Sequence, residues 1–185
     1  MTTLFQPEKL LEITRSAVGQ PVGQAFDTIV DAVDQEWPDR IRRDNPWLFN
    51  TACGAMGQLK LLYGSLSEYL ILFGTPIGTE GHSGRYRADV HDFMIKGEMW
   101  TYHEGDIEKT IYLPGDHAVL ERRRTKGYRA MEDTWMLEYA RGAIPTMLPT
   151  GSWDNLFSNL DLKALFRLYG QYGSMCIREL LRGKI

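Results

Sequence analysis

The feature that most constrains the fold is a change of pattern along the middle of the chain. From about residue 58 to residue 145, short segments of alternating apolar and polar residues are separated by turn residues, which lie at residues 74–76, 81–84, 104–106 and 114–116. Side chains two positions apart in a strand share a face, so this alternation is typical of strands with a buried side. Short strands at such spacing favour a β-sandwich or barrel over alternating strands and helices.

Helical patterns flank this region on both sides. Residues 7–38 carry apolar side chains at helical spacing, with an interruption at residues 19–21 and an end at Pro38. Residues 161–182 return to a helical pattern, and Asp161 is a suitable N-cap. The length of 185 residues suits one domain with a substantial core. We therefore predict a single domain over residues 1–185, mainly β with flanking α: N-terminal helices at about 7–38, a β-barrel at about 58–148 and a C-terminal helix at about 161–182.

The composition disfavours several classes of protein. The net charge of −3 and the isoelectric point near 5.8 provide no basic surface for nucleic acid. No run of 18 apolar residues occurs, and the N-terminal residues mix acids with apolar side chains, so we predict neither a transmembrane helix nor a signal peptide. We expect a cytoplasmic protein. The basic run at residues 122–124 is most simply a solvated edge, and peripheral contact with anionic lipid or a partner is the alternative.

One carboxyl group falls on a face that should be buried. In the segment at residues 84–93, Asp92 shares its face with apolar side chains, namely Tyr86, Ala88 and Val90, whereas the opposite face carries Arg85, Arg87, Asp89 and His91 and is expected to meet solvent. A carboxyl group among apolar side chains has a raised pKa because burial disfavours its charged form.

A second carboxyl group, that of Glu138, has a comparable setting. It shares its face with Thr134, Met136 and Ala140, while Tyr69, Ile71 and Phe73 share one face of an earlier segment. Two neighbouring carboxyl groups raise one pKa further, so such a pair can hold a proton near neutral pH and act as a general acid or bind a ligand's ammonium group. The alternative is that Asp92 and Glu138 only form ion pairs with nearby arginines.

The remaining reactive residues indicate no other chemistry. The Gly81-His82-Ser83-Gly84 segment lacks the strand-turn-helix context of a nucleophilic serine, so we interpret it as a turn whose His and Ser bond to the backbone. The four histidines include no His-x-His pair, and no metal or other cofactor is predicted. The two cysteines, Cys53 and Cys176, are interpreted as free buried thiols.

Several of these segments together resemble one known family. The stretches SLSEYLILFGTPIGTEGHSGRY (residues 65–86) and DTWMLEYARGAIP (residues 133–145), with Asp92 between them, are similar to the family of the fungal sterol C-8 isomerase and the animal sigma-1 receptor. The similarity runs without gaps from about Gly64 to Leu148. It implies a cupin-like β-barrel around an occluded hydrophobic pocket, helices packed over one end and, as in the receptor, threefold assembly.

The resemblance also implies roles for individual residues. Glu138 matches the family's essential pocket glutamate, Asp92 the aspartate that hydrogen-bonds to it, and Tyr69 the tyrosine that supports it, which implies that one of the two acids is protonated. The apolar and aromatic pocket wall is expected to include Tyr86, Ile71, Phe73, Val90, Ile144 and Leu148.

These expectations lead to two functional hypotheses. The first is an enzyme without a cofactor that isomerises a double bond, or starts a cyclisation, in a sterol or another isoprenoid. The second is a non-catalytic protein that, like the receptor, binds cationic amphiphilic molecules. The sequence departs from the family pattern in two ways. The receptor's membrane span is replaced by an amphipathic segment, which suggests a soluble bacterial member. Leu120 and Ala130 stand where the receptor has a His and a Trp in its pocket wall, which bears on the identity of the substrate.

Overall fold

The computed structural model describes residues 3–184, which form four α-helices, ten β-strands and one short 3-10 helix. The helices are α1 (Pro7–Ala17), α2 (Val22–Glu36), α3 (Leu148–Phe157) and α4 (Leu162–Leu181), and the 3-10 helix is Ile144–Thr146. The strands are β1 (Leu48–Ala52), β2 (Ala55–Gly64), β3 (Glu68–Thr75), β4 (Thr79–His82), β5 (Ala88–Lys96), β6 (Met99–Tyr102), β7 (Thr110–Tyr112), β8 (His117–Leu120), β9 (Gly127–Ala130) and β10 (Thr134–Gly142).

The strands form two antiparallel sheets. The large sheet has the order β1-β2-β3-β10-β5-β8, and the small sheet has the order β4-β9-β6-β7. Within the described part of the chain, the strand ladders do not close into a single barrel. The predicted fold class is confirmed: the protein is mainly β, an apolar cavity lies between its sheets, and helices lie at both ends.

Both faces of the large sheet are covered. One face packs against α1 and α2 through a cluster that includes Leu70, Leu72 and Tyr139, and the other packs on the inner apolar cluster that includes Ile71 and Met136. Neighbouring residues along a strand therefore enter different cores. This explains why β3 and β10 are rich in apolar residues on both of their sides.

The two-sided burial corrects one prediction. His91 was expected to face solvent, but its side chain is buried and stacks between Phe93 and Tyr139 on the side of the sheet that the N-terminal helices cover. Burial and the neighbouring His117 lower the pKa of His91 to about 4, so the ring is neutral at physiological pH. The alternation had placed His91 correctly on the face opposite Asp92, and only the solvent exposure was wrong.

The flanking helices agree with the pattern, with two additions. Pro7 begins α1, the interruption at residues 19–21 separates α1 from α2, and the Asp161 carboxylate caps α4 by accepting the Ala164 N–H at 3.0 Å. The additions are β1 and α3, which lie outside the predicted barrel and helix bounds. Cys53 and Cys176 are both free thiols, but only Cys176 is buried.

Candidate functional site: two carboxyl groups in an apolar cavity

A cavity of about 210 Å³ lies between the two sheets and the C-terminal helices. All nine residues singled out in the sequence line it: Tyr69, Ile71, Phe73, Tyr86, Val90, Asp92, Glu138, Ile144 and Leu148. Leu120, at one of the positions that differ from the receptor, also lines the wall. Most of the side chains that line the cavity with the two carboxyl groups are apolar or aromatic, so the surroundings favour neutral species.

Strand pairing brings the two carboxyl groups to the same place. In the antiparallel register, Glu138 of β10 lies opposite Asp92 of β5 on one side and opposite Ile71 of β3 on the other. Directly opposed residues project their side chains on the same face of the sheet. Glu138 and Asp92 are therefore neighbours at the cavity wall, although 46 positions separate them along the chain.

Glu138 receives a hydrogen bond from a neighbouring strand. The Tyr69 hydroxyl donates to Glu138 Oε1 at 2.5 Å. Burial raises the pKa of Glu138 to about 7, and the nearby Asp92 adds to this effect, while the Tyr69 hydrogen bond and the Lys126 charge oppose it. Glu138 can therefore hold a proton at a much higher pH than an ordinary glutamate does.

Asp92 has a partner that the sequence analysis missed. The Lys126 ammonium group lies 2.8 Å from Asp92 Oδ2, and both side chains are only 7% exposed. The sequence analysis assigned no role to Lys126. A signal was nevertheless present, because Lys126 alternates with Tyr128 and Ala130 and so belongs to the apolar side of that segment.

This partner changes the arrangement expected for the two acids. Among the hydrogen bonds of residues 3–184, none joins Asp92 to Glu138, because Asp92 accepts from Lys126 and Glu138 accepts from Tyr69. A cation at hydrogen-bond distance favours the charged form of a carboxyl group. The two acids therefore have different partners: Asp92 is ion-paired with Lys126, whereas Glu138 has a raised pKa and accepts a hydrogen bond from Tyr69.

The glycine-rich turn after β4 holds Lys126 from its backbone. Ser83 Oγ accepts the Lys126 N–H at 2.9 Å, and the Ser83 N–H donates to the Lys126 carbonyl oxygen at 2.9 Å. His82 Nδ1 accepts the Gly84 N–H at 2.9 Å, so both side chains bond to backbone, as predicted. Gly84 has φ 83°, and a Cβ there would lie 2.4 Å from the Tyr86 ring, so glycine is required for this turn.

Two aromatic hydroxyl groups complete the polar part of the cavity. Burial raises the pKa of Tyr86 to about 12, and burial together with the two acids raises the pKa of Tyr128 further. Both phenols therefore stay neutral at physiological pH and present π-faces and O–H groups rather than charge.

Neither a metal centre nor a membrane span is found in the described part of the chain. Between residues 3 and 184, no three side chains of the His, Cys, Asp and Glu type are grouped so that they could hold a metal ion. No helix in the same range is both long enough and apolar enough to cross a membrane.

The geometry is suited to chemistry that develops positive charge. A neutral carboxyl group can deliver a proton to a bound molecule, and the resulting cation would be formed beside two carboxylates and several aromatic rings. The same carboxyl group, once ionised, can pair with a ligand's ammonium group. Both capabilities depend on Glu138.

Comparison with known proteins places this arrangement in a family. The chain matches the family model described as ERG2 and Sigma1 receptor like protein over residues 1–184. It is 40% identical over 187 residues to the C-8 sterol isomerase of Neurospora crassa, covering 98% of this chain and 73% of that protein. It is 39% identical over 164 residues to the sigma non-opioid intracellular receptor 1 of Gallus gallus, covering 88% of this chain and 74% of the receptor.

Solved structures with a similar course include an RmlC-like cupin from Shewanella frigidimarina. Its TM-score is 0.44 at 13% identity, over 54% of this chain and 85% of that one. The family assignment does not depend on this likeness, because the family model spans nearly all of the sequence. This chain belongs to the family of ERG2 and Sigma1 receptor like proteins.

Proposed function

We propose that the protein is an acid-catalysed double-bond isomerase that acts on a sterol or another isoprenoid without a cofactor. The observation that carries the proposal is a single carboxyl group, Glu138, whose pKa of about 7 is set by burial in an apolar cavity beside an ion-paired Asp92. The relative named C-8 sterol isomerase supports the substrate class. A general acid works best when its pKa lies near the operating pH.

The reaction would begin with proton transfer from the Glu138 carboxyl group to one carbon of the substrate's double bond. The π electron pair forms the new C–H bond, and the adjacent carbon becomes a cation beside the Glu138 carboxylate. The faces of Tyr69 and Tyr86 can stabilise this cation through their π electrons. Loss of a proton from a neighbouring carbon to the Glu138 carboxylate then forms the shifted double bond and restores the protonated acid, so the composition of the substrate is unchanged.

The apolar wall has a part in this chemistry. Water would capture the cation, and hydration of Glu138 would return its pKa towards the ordinary value. The cavity must therefore exclude water during turnover. The wall residues Ile71, Phe73 and Val90 are nearly inaccessible to solvent, and they would contact the hydrocarbon body of the substrate. Ile144 and Leu148, near the C-terminal helices, would close the same cavity.

Isotope incorporation tests the enzymatic proposal directly. The protein is incubated with a Δ8-sterol, or with a panel of isoprenoid alkenes, in deuterated water, and products are analysed by mass spectrometry and NMR. We expect a shifted double bond with deuterium on the carbon that received the proton. Glu138→Gln should lower the rate at least 100-fold, which is the lower end of what general acid catalysis contributes.

Matched variants give this experiment its controls. Asp92→Asn should also lower the rate strongly, whereas Glu104→Gln, at a side chain that is 85% exposed, should not change it. An isomerase rate that is the same in wild type and in Glu138→Gln would remove Glu138 from the mechanism. A complete lack of deuterium uptake across the panel would refute the enzymatic proposal.

A second candidate function is the binding of cationic amphiphiles without catalysis. The specific observation in its favour is that Glu138 is partly ionised at neutral pH inside an apolar cavity, and a relative is named a sigma receptor. An amphiphilic amine should bind more tightly as the pH rises from 6 to 8, because the Glu138 carboxylate becomes more populated. Calorimetry with Glu138→Gln should show loss of most of the affinity, and unchanged affinity would exclude Glu138 as the anchor.

The proposal extends to the organisation of the protein. The chain is taken to be a single domain that acts in the cytoplasm, with peripheral contact to membranes that hold its substrate, and the family resemblance suggests a homotrimer. Light scattering coupled to size exclusion tests the assembly: a trimer of the 21.2 kDa chain has three times that mass. Elution at the mass of one chain at micromolar concentration would contradict threefold assembly.

A further inference from the structure

We propose that Lys126 is a positioning residue that fixes Asp92 as the permanent anion of the site and thereby assigns the transferable proton to Glu138. The inference rests on the proposed function, which needs one protonated acid beside one anion. It goes further by naming the residue that decides which acid has which role.

The first argument is the placement of Lys126. Its ammonium group contacts Asp92 at 2.8 Å, and with 7% of its side chain exposed it is a nearly buried lysine. A buried lysine with no carboxylate beside it would lose its charge, so a cationic Lys126 at this place requires an acidic neighbour, which Asp92 provides. Lys126 therefore serves the interior of the cavity rather than the solvated basic edge formed by the preceding arginines.

The second argument is that the backbone of Lys126 is held at both its polar groups. The Ser83 side chain and backbone N–H bond to the Lys126 N–H and carbonyl oxygen, each at 2.9 Å. The strand β9 starts at the next residue, Gly127, which pairs with His82 of β4. The Gly-His-Ser-Gly turn, which had no role in catalysis on sequence grounds, thus sets the position from which Lys126 reaches Asp92.

The third argument is the balance of charge around Glu138. The titratable groups that act on it or interact with it are Tyr69 from β3, Asp92 from β5, Lys126 and Tyr128 from the β9 region, and Tyr86 before β5. The three phenols are neutral, so the groups that can act on Glu138 through their charge are Asp92, which raises its pKa, and Lys126, which lowers it. These two residues therefore set the electrostatic environment in which Glu138 titrates.

Removing Lys126 and removing Asp92 should shift the pH at which Glu138 titrates in opposite directions. In Lys126→Met the two acids are left without the cation and must share a proton, so the Glu138 titration should shift upward by about one pH unit or more. In Asp92→Asn the negative neighbour of Glu138 is gone and Glu138 becomes the acid that Lys126 can pair with, so the titration should shift downward by a similar amount. A lysine with a merely structural role would not produce this opposition.

The experiment follows the side-chain carboxyl carbon of Glu138 by ¹³C NMR from pH 4 to pH 10, with Glu138→Gln used to identify the signal. The matched control is Lys96→Met, because Lys96 forms an ion pair with Asp133 but is 47% exposed and lies outside the cavity lining. This control should leave the Glu138 titration unchanged. A Lys126→Met titration that is unchanged or shifted downward overturns the inference.

A double variant allows the test to be made even if Lys126→Met does not fold. Lys126→Met leaves Asp92 buried without its partner and could fail to fold, but Lys126→Met/Asp92→Asn removes both charges together. The titration of Glu138 in this double variant should lie above that of Asp92→Asn alone, because the unpaired cation is gone. If it lies at or below that of Asp92→Asn, Lys126 does not act on Glu138 and the inference fails.

The inference and the proposed function can fail separately. If the titrations shift in opposite directions but no alkene exchanges deuterium, the assignment of roles to Lys126 and Asp92 stands and the isomerase proposal is lost. If isomerisation occurs but Lys126→Met does not move the alkaline limb of the pH–rate profile, the isomerase proposal stands and the role assigned to Lys126 is lost. If both proposals are correct, Lys126→Met moves the alkaline limb of the pH–rate profile to higher pH, and the NMR titration of Glu138 shifts in the same direction.

Discussion

The raised pKa of Glu138 predicts that this residue destabilises the folded protein at neutral and alkaline pH. A glutamate carboxyl group has an ordinary pKa of 4.5, and in the folded protein that of Glu138 is about 7. The folded state therefore binds the proton more tightly than the unfolded state does. Since stability falls with rising pH wherever the folded state binds more protons, the favourable contribution is complete below pH 4.5 and is lost as the pH rises through 7.

The size of the effect follows from the same two values. Each pKa unit corresponds to about 1.36 kcal/mol, so the full difference is about 3 kcal/mol. Over the experimentally convenient interval from pH 5 to pH 8, between about 2 and 3 kcal/mol of this contribution is lost. Glu138→Gln removes the titration while its side-chain carbonyl oxygen can still accept the Tyr69 hydrogen bond.

Urea denaturation at a series of pH values between 5 and 8 measures the prediction. The free energy of unfolding of Glu138→Gln minus that of wild type should increase by about 2–3 kcal/mol from pH 5 to pH 8. Contributions from His91 and His117 cancel in this difference, because both histidines are present in both proteins. Glu104→Gln, at an exposed side chain, should give a difference that does not depend on pH. A flat difference for Glu138→Gln would refute the raised pKa and with it the description of the site.

Three further predictions concern the fold around the site. Glu68 is fully buried and accepts hydrogen bonds from two backbone N–H groups and a tyrosine hydroxyl. Glu68→Ala should therefore lower the free energy of unfolding by about 3–5 kcal/mol in chemical denaturation, whereas the exposed Glu80→Ala should lower it by less than about 1 kcal/mol. Equal losses in the two variants would contradict this prediction. Tyr172→Phe removes a 2.7 Å hydrogen bond to a buried backbone carbonyl oxygen and should cost about 1–3 kcal/mol, and an unchanged stability would show that this bond contributes nothing. Gly84→Ala places a methyl group against the Tyr86 ring in a positive-φ turn, so amine affinity measured by calorimetry should fall, and wild-type affinity would show that the turn can adapt.

Much of the candidate site could be predicted from the sequence. The alternation in β3, β5 and β10 assigned Tyr69, Asp92 and their apolar companions to particular faces, because strand periodicity is a local property of the backbone. The same pattern made a buried Glu138 plausible. The family resemblance then added the roles of the individual residues together with Ile144 and Leu148, and all nine residues line one cavity. The bounds of α1, α2 and α4 followed in the same way from helical spacing, Pro7 and Asp161.

Other features were decided by the tertiary structure alone. The exposure of His91 depends on α1 and α2 covering its face, and no pattern within β5 reports what another element covers. The contact between Lys126 and Asp92 joins the residue that precedes β9 of the small sheet to β5 of the large sheet, so it exists only once these distant segments are packed together. Local sequence specifies the side to which a residue points, whereas the partner that it meets there depends on contacts between distant parts of the chain. For this protein, that partner determines which of two neighbouring acids is charged.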